Sequence, residues 1–257
     1  MSKDRPHPLR AAEHYLFNIA FFAWFFLFSM LYIPALTAVI GLTWLFTSEK
    51  TAMRCFRGAI NWYGAGIIRG AFPLARVRYR DCSRGEGSGP FLIVANHRSA
   101  VDAFLLAFLP LEFVQVVNIW PFRIPILGIY AKWAGYLNIR QTPQDEFMDA
   151  STDNLKKGVS LAFFPEGTRS RGREMGPFHS MAFRLALRTG VPIIPYCIAG
   201  AEKVMPRGAK LLRRGTISIR RLRAIPWEEY KDKQPFQLKN YIHGIMAAEL
   251  DRMEKAS

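Results

Sequence analysis

The chain has 257 residues, of which 50% are hydrophobic and 21% are charged, and this balance excludes a disordered or coiled-coil protein. Lys and Arg number 35 against 20 Asp and Glu, so the net charge of +15 favours an anionic partner such as phospholipid head groups, phosphorylated substrates or nucleic acid. Three cysteines, with no Cys-x-x-Cys pair or Cys/His cluster, indicate neither a disulfide scaffold nor a zinc site, and are typical of a reducing compartment.

The run from residue 15 to residue 46 contains no charged side chain and is rich in Phe. As one straight helix it would measure about 48 Å, against about 30 Å for the hydrocarbon core of a membrane. Pro34, past the middle of the run, is expected to break or kink a helix. Basic residues lie on both sides, and positive charge favours the cytoplasmic side. We therefore expect a helical hairpin that returns to the cytoplasmic face, rather than a single span. A cleaved signal peptide is disfavoured, because its apolar region would be much shorter.

Residues 51–70 place Phe56, Ile60, Tyr63 and Ile67 on one helical face. This pattern predicts either an interfacial helix whose arginines reach lipid phosphates, or an ordinary packed helix. The four glycines of the segment weaken the prediction of a helix in both cases.

From residue 71 to residue 257, short apolar runs alternate with helical segments. Strands are predicted at 76–80, 91–95, 113–117, 136–140, 159–164, 191–198 and 215–222. Helices are predicted at 101–109, 145–157, 178–188 and 237–254. Strands that alternate with helices favour an α/β fold with a largely parallel sheet flanked by helices. We therefore expect membrane-anchoring helices with an interfacial segment over 1–70, as a hydrophobic membrane helix or helical hairpin, followed by an α/β domain over 71–257.

The first candidate site is the segment 96–102 (Asn-His-Arg-Ser-Ala-Val-Asp), which directly follows a predicted buried strand. Ligands of open α/β sheets bind at the carboxyl ends of strands. If the chain bends back at Ser99, the Asp102 carboxylate can reach the His97 imidazole, fix its tautomer and leave the other ring nitrogen free as a general base. The same spacing is also a capping box, in which Asp102 only caps a helix and His97 is a loop histidine. Spacing alone leaves both interpretations open.

The second candidate site is the segment 164–170 (Phe-Pro-Glu-Gly-Thr-Arg-Ser), which also follows a predicted buried strand. Arg169 can bind a phosphate through two N–H groups, Thr168 offers a hydroxyl, and Gly167 lets the backbone approach a ligand closely. The alternative is a basic surface turn with an internal ion pair between Glu166 and Arg169. The residue types alone favour neither.

The two motifs in this order, between an uncharged N-terminal segment and Val-Pro-Ile-Ile-Pro at 191–195, resemble the glycerolipid acyltransferase family. The resemblance is strongest to bacterial lysophosphatidic acid acyltransferases (1-acylglycerol-3-phosphate O-acyltransferases), and covers roughly residues 91–198 together with the N-terminal helices. Residues 125–128 and 135–140 occupy the places of two further elements of the family, P-x-x-G and G-x-I-x-x-R, with Leu137 in place of Ile.

The resemblance implies ester formation without a covalent acyl-enzyme, a metal or a bound cofactor. His97 would take the proton from the free hydroxyl of a lysolipid, and Asp102 would orient His97. The alkoxide would then attack the thioester of acyl-CoA or acyl carrier protein. With lysophosphatidic acid as the acceptor, the product would be phosphatidic acid. The residues implied to bind the acceptor are Glu166, Gly167, Thr168 and Arg169.

The sequence departs from the family where a lysine often helps to hold the acceptor phosphate. Residues 117–120 read Val-Asn-Ile-Trp, and the Lys-x-Gly element after the second motif is replaced by His-Ser-Met at 179–181. Arg98 and Arg123 are candidates to supply the missing charge. The acceptor therefore stays open between lysophosphatidic acid and another lysolipid, such as a lyso-ornithine lipid or a lysophospholipid.

Residues 203–223 contain eight basic side chains and no acidic one. They are interpreted as a pad against anionic membrane lipid, as a docking face for acyl carrier protein or the phosphates of CoA, or as a solvated face. The eight are Lys203, Arg207, Lys210, Arg213, Arg214, Arg220, Arg221 and Arg223.

Three other function classes fit the sequence less well. Nucleic-acid binding is disfavoured because no helix-turn-helix, RNP-like strand or zinc finger is present. A lipase is disfavoured because Gly-x-Ser-x-Gly does not occur. Loss of His97 or Asp102 would have favoured a non-catalytic lipid-binding protein on the same fold, and both residues are present. The expected location is the cytoplasmic face of a bacterial inner membrane.

Overall fold

A computed structural model describes residues 8–256, except for residues 73, 84, 86, 88, 119–126 and 171–173. It begins with helix α1 (Pro8–Phe46), which continues through Pro34. Helix α2 (Glu49–Gly70) follows after a turn at residues 47 and 48, and its N-terminus is capped by the Ser48 hydroxyl. The expectation of a hairpin within 15–46 is therefore wrong, because the chain reverses only after residue 46.

Packing against α2 on both sides of Pro34 explains why α1 does not break there. Tyr32 donates a hydrogen bond to the carbonyl of Ala59 at 2.8 Å, and Leu36 lies in a buried cluster with Phe56. A break at Pro34 would cost these contacts, which offset the penalty of about 3 kcal/mol for proline inside a helix.

Glycines of α2 lie where aromatic rings of α1 come close. A Cβ on Gly70 would lie 1.8 Å from the Trp24 ring, and one on Gly66 would lie 2.5 Å from the Phe28 ring. Phe28 also stacks on Tyr63, with ring centroids 5.7 Å apart. The glycines that weaken the helix in isolation therefore allow the two helices to pack closely.

Within the described residues, one helix is long and apolar enough to cross a membrane, over Ala12–Phe46. Only 6% of its most apolar window is buried inside the protein. Exposed apolar residues such as Leu27, Met30 and Leu45 account for this surface.

The described residues form one sheet of seven strands in the order β1-β7-β6-β2-β5-β3-β4. The strands are β1 (Ala75–Asp81), β2 (Leu92–Ala95), β3 (Phe113–Val117), β4 (Leu137–Asn138), β5 (Ser160–Phe163), β6 (Ile193–Ala199) and β7 (Gly215–Arg221). Strands β6, β2, β5, β3 and β4 are mutually parallel, whereas β7 runs antiparallel to β6 and pairs in parallel with β1. The predicted α/β fold with a largely parallel sheet is confirmed.

Six further helices lie among the described residues. They are α3 (Asp102–Leu105), α4 (Leu127–Trp133), α5 (Gln144–Lys156), α6 (Met181–Thr189), α7 (Ala201–Val204) and α8 (Pro235–Lys255). The helix predicted at 101–109 is shorter, because α3 passes into a 3₁₀ turn at Leu106–Phe108. The strand predicted at 136–140 is only the two residues of β4, and α4 was not predicted.

Central strand β2 contributes to two buried cores on opposite faces of the sheet. Leu92 and Val94 belong to the core that includes residues of α5, α6 and α8, whereas Ile93 and Ala95 belong to the core that includes residues of α2 and α3. Because successive side chains of a strand point to opposite faces, a strand covered on both sides must be apolar at every position. Since β2 ends at Ala95, the residues that follow lie at the carboxyl edge of its parallel strands.

Candidate active site

The two sequence motifs meet because β2 and β5 are neighbouring parallel strands, with Leu92 paired to Leu161 and Val94 to Phe163. Segment 96–102 follows β2 and segment 164–170 follows β5, so both leave the same edge of the sheet. The backbone N–H of Ser170 donates to the carbonyl of His97 at 2.8 Å. The motifs are therefore bonded to each other directly.

The His97 imidazole is held from one side by a buried carboxylate. Its Nδ1 lies 2.9 Å from Asp102 Oδ2, and the Asp102 side chain is 0% exposed whereas that of His97 is 23% exposed. The ring of Phe164 lies against the imidazole, with centroids 4.5 Å apart. Within the described residues, His97 Nε2 has no hydrogen-bond partner. This arrangement fits a neutral imidazole that donates from Nδ1 and keeps Nε2 as a proton acceptor.

The same carboxylate oxygen of Asp102 also holds the turn that carries His97. Oδ2 accepts from the backbone N–H groups of Arg98 and Ser99, each at 2.6 Å. The bond from Ser99 N–H is one half of the predicted capping box. The Ser99 hydroxyl instead donates to the carbonyl of Met205 at 2.8 Å. Asp102 thus contacts both the turn before the helix and the imidazole, so the interpretation in which it only caps the helix is wrong.

A buried tyrosine anchors the helix that carries Asp102. The Tyr196 hydroxyl, on β6, donates to the carbonyl of Leu105 at 2.8 Å. Burial raises the pKa of Tyr196 well above its usual value, so the hydroxyl keeps the proton that it donates.

Glu166 joins the two motifs from inside the fold. Its Oε1 accepts from the backbone N–H of His97 at 2.7 Å, and its Oε2 accepts from the N–H of Gly176 at 2.8 Å and from the hydroxyl of Ser170. Within the described part of the chain it forms no ion pair with Arg169, so the alternative of an internal Glu166–Arg169 pair is wrong. Both carboxylate oxygens are engaged by protein donors.

A cavity of about 270 Å³ opens beside this junction. Its lining includes Glu166, Thr168, Arg169, Ser170, His179 and Arg207. Gly167 adopts the left-handed conformation at φ +67°, and a Cβ there would lie 3.0 Å from the His179 ring. The structure therefore brings two guanidinium groups, a hydroxyl-bearing turn and an imidazole to one cavity. Among the described residues, no three His, Cys, Asp or Glu side chains cluster as metal ligands.

Comparison with known proteins finds a matching family model, similar curated proteins and a similar fold. Residues 76–199, which contain both motifs, match the model of the family described as Acyltransferase. This segment, about half of the chain, is therefore similar to the acyltransferase family. The match ends at Ala199, the last residue of β6, and so spans the strands that carry the site.

Curated proteins similar to this chain include the 1-acyl-sn-glycerol-3-phosphate acyltransferase BAT2, chloroplastic, of Brassica napus. It is 33% identical over 134 residues, which are 51% of this chain and 39% of that protein. The 1-acyl-sn-glycerol-3-phosphate acyltransferase of Escherichia coli (strain K12) is 27% identical over 188 residues, 70% of this chain and 75% of that protein. The chain spans about two fifths of the length of the plant relative.

A solved structure shares the fold of most of this chain. The crystal structure of the 1-acyl-sn-glycerophosphate (LPA) acyltransferase PlsC from Thermotoga maritima is 20% identical, with a TM-score of 0.78. The alignment covers 95% of this chain and 98% of that one.

Arg98, one of the two arginines proposed to replace the family's lysine, is not among the residues that line the cavity. The Arg98 side chain is 3% exposed, and its Nη1 lies 2.5 Å from Glu254 Oε1 on α8. Its charge is thus paired inside the fold, contrary to the prediction that it faces the acceptor. The turn after β2 directs this side chain towards α8, which no local pattern could show. Arg123 lies outside the described residues.

The basic segment 203–223 does not form one continuous cationic surface. Four of its eight basic residues are in ion pairs, which are Arg214–Glu13, Arg220–Glu249, Arg221–Asp81 and Arg223–Glu229. Arg207 instead lines the cavity beside the two motifs. The sequence analysis grouped Arg207 with the basic segment. Its contact with Arg169 could not be predicted, because it depends on the path of the chain between the two residues.

Proposed function

We propose that the chain transfers a fatty acyl group from an acyl thioester to the free hydroxyl of lysophosphatidic acid, giving phosphatidic acid. The observation that carries the proposal is that a possible general base and a possible phosphate-binding cavity lie near each other. An imidazole braced by a buried carboxylate lies at the same sheet edge as a cavity with two guanidinium groups. The relatives named 1-acyl-sn-glycerol-3-phosphate acyltransferases support this acceptor.

In this proposal His97 Nε2 is the general base. It takes the proton of the acceptor hydroxyl as the oxygen attacks the thioester carbonyl carbon. The carbon–sulfur bond then breaks and the thiolate leaves, taking a proton from the imidazolium. Asp102, 2.9 Å from Nδ1, stabilises the imidazolium between these steps. General-base assistance contributes about 10²–10⁴-fold to a rate. The donor is acyl-CoA or acyl carrier protein, and no bound cofactor takes part.

Arg169 would bind the acceptor phosphate, because a guanidinium pairs with a phosphate through two parallel hydrogen bonds. Gly167 and Thr168 would contribute the close backbone approach and a hydroxyl. Glu166 would act mainly by positioning His97, since both of its oxygens are already bonded.

Membrane association follows from α1 in the same proposal. A lysolipid acceptor is delivered from a bilayer, and Ala12–Phe46 exposes an apolar surface that suits one. Asn18 of α1 exchanges two hydrogen bonds with the backbone of Leu212, at 2.8 and 3.0 Å, so α1 is also joined to the α/β part. We place the protein at the cytoplasmic face of a bacterial-type inner membrane.

The test is an acyl-transfer assay on purified protein in detergent, with labelled acyl-CoA and lysophosphatidic acid. Wild type, His97→Ala and His14→Ala are compared, the last removing a histidine of α1 that bonds to Asn18. We expect transfer that falls at least about 10²-fold in His97→Ala and stays near wild type in His14→Ala. Transfer confined to another lysolipid would move the acceptor while keeping the chemistry. The absence of His97-dependent transfer to any lysolipid, repeated with acyl carrier protein as donor, would contradict the proposal and favour a non-catalytic lipid-binding protein.

A further inference from the structure

The connection after α7 brings Arg207 to the cavity. Arg207 Nη1 donates to the carbonyl of Arg169 at 3.1 Å, and both residues line the same cavity of about 270 Å³. The two residues are 38 positions apart. Arg169 lies in the segment after β5, whereas Arg207 lies after β6 and α7.

This connection is tied to the rest of the site near both of its ends. Near its start, the carbonyl of Met205 accepts from the Ser99 hydroxyl, in the turn that carries His97. Near its end, Leu212 is held by the buried side chain of Asn18, and Arg213 N–H bonds to the carbonyl of Val204 at 2.7 Å. The position of Arg207 relative to His97 is therefore set by hydrogen bonds on both sides.

The charge of Arg207 has no carboxylate partner in the part of the chain that the structure describes. Among the described residues no carboxylate pairs with Arg207 or with Arg169, in contrast to Arg214 and Arg223 of the same basic segment. The carboxylate that lines the cavity, Glu166, is engaged by three protein donors. The cavity is thus lined by two guanidinium groups, those of Arg169 and Arg207, that no described carboxylate pairs with and that can bind an anion.

We propose that Arg207 is a second ligand for the phosphate monoester of the acceptor and determines specificity for phosphorylated lysolipids. The inference rests on the proposed function and names the group that would supply the charge missing at 117–120 and 179–181. Two guanidiniums can share the oxygens of a doubly charged phosphate, and each charge-assisted hydrogen bond strengthens its binding. Since Met205 is bonded to the His97 turn, the same connection would set the distance between the phosphate and the general base.

The kinetic test compares Arg207→Gln, Arg207→Lys and the control Lys210→Gln. Lys210 is an exposed lysine of the same connection that does not line the cavity. We expect Arg207→Gln to raise the KM for lysophosphatidic acid about 10–100-fold with a smaller effect on kcat, Arg207→Lys to recover part of the loss, and Lys210→Gln to behave as wild type. A KM for Arg207→Gln within twofold of wild type would overturn the inference.

A second measurement does not depend on activity. Inorganic phosphate is the probe, and the midpoint of thermal unfolding in detergent is followed as phosphate is added at constant ionic strength. Binding to the folded state raises this midpoint. We expect the rise to be smaller in Arg207→Gln than in wild type and Lys210→Gln. An equal rise in all three proteins would overturn the inference. If wild type transfers nothing to lysophosphatidic acid, the proposed function fails, and this measurement decides the role of Arg207 alone.

Discussion

Replacing Asp102 by Asn separates its two contacts, because the carboxylate uses its oxygens unequally. Oδ2 accepts from His97 Nδ1 at 2.9 Å and from the backbone N–H groups of Arg98 and Ser99 at 2.6 Å. Oδ1 is buried and has no hydrogen-bond partner among the described residues. In Asp102→Asn the amide oxygen can take the place of Oδ2 and keep all three bonds, while the NH₂ group takes the place of Oδ1. The turn is then preserved and only the charge is lost.

The expected loss of activity follows from the distance between the charges. With about 4 Å between the centres of the imidazolium and the carboxylate, and an effective dielectric constant of about 20, their attraction is about 4 kcal/mol. Since about 1.4 kcal/mol corresponds to a factor of ten in rate, Asp102→Asn should lower kcat about 10³-fold. The unpaired NH₂ group should cost about 1–3 kcal/mol of stability.

Asp102→Ala should behave differently, because it also removes the acceptor of two backbone N–H groups, those of Arg98 and Ser99. Each unsatisfied buried donor costs about 1–3 kcal/mol, so this variant should lose roughly 2–6 kcal/mol of stability in addition to activity.

The assay measures initial rates of acyl transfer and the unfolding of each variant in the same detergent. Asp102→Asn should be nearly inactive yet folded at the assay temperature, and Asp102→Ala should be inactive and clearly less stable. Activity of Asp102→Asn within threefold of wild type would refute the reasoning. It would mean that the carboxylate serves only as a cap of α3.

Three further predictions concern the fold around the site. Glu254→Gln keeps an oxygen that can accept from Arg98 but removes the carboxylate charge that balances the buried guanidinium, so it should lower the free energy of unfolding by about 3 kcal/mol, measured by denaturant unfolding. A change below about 0.5 kcal/mol would contradict the importance of this ion pair. Gly167→Ala forces alanine into the left-handed conformation and places its Cβ 3.0 Å from a side chain of the cavity wall, so it should lower the free energy of unfolding by about 1–2 kcal/mol and reduce acyl transfer. The matched variant Gly158→Ala, at φ +84° with no atom within 4 Å of its Cβ, should lose stability but not activity. Burial raises the pKa of the Cys197 thiol far above its usual value. At about pH 8 iodoacetamide should therefore leave this cysteine unlabelled, as detected by mass spectrometry of its peptide, until the protein is unfolded. Rapid labelling of the native protein would contradict the burial of Cys197.

Local patterns predicted those parts of the fold whose burial shows in consecutive residues. The apolar run at 91–95 indicated a strand covered on both faces, and β2 has this burial. Helix α8 was predicted from apolar residues at helical spacing, and Leu238, Ile242, Met246 and Leu250 are buried along it. The contact of Asp102 with His97 was one of two interpretations that their spacing of five residues allowed.

The predictions that were wrong or absent share a cause, which is a long-range contact. The turn between α1 and α2 was predicted near Pro34, because a proline signal is local whereas the packing of α1 on α2 that opposes a break is not. Arg98 was predicted to face the acceptor, but its partner Glu254 is 156 residues away. Helix α4 was not predicted, and its Ala134 neighbour is buried beside Phe56 of α2, another long-range contact.

The amino-acid sequence alone therefore determined the alternation of strands and helices, the apolar N-terminal segment, and the two motifs with their resemblance to glycerolipid acyltransferases. These depend on side-chain periodicity and on residues within a few positions of one another. Only the tertiary structure decided that Glu166 binds the His97 backbone, that Arg98 is buried and that Arg207 faces Arg169. Each of these depends on which strands are neighbours in the sheet and on where long connections return. Those pairings are set by the burial of the whole core, and no short segment carries that information.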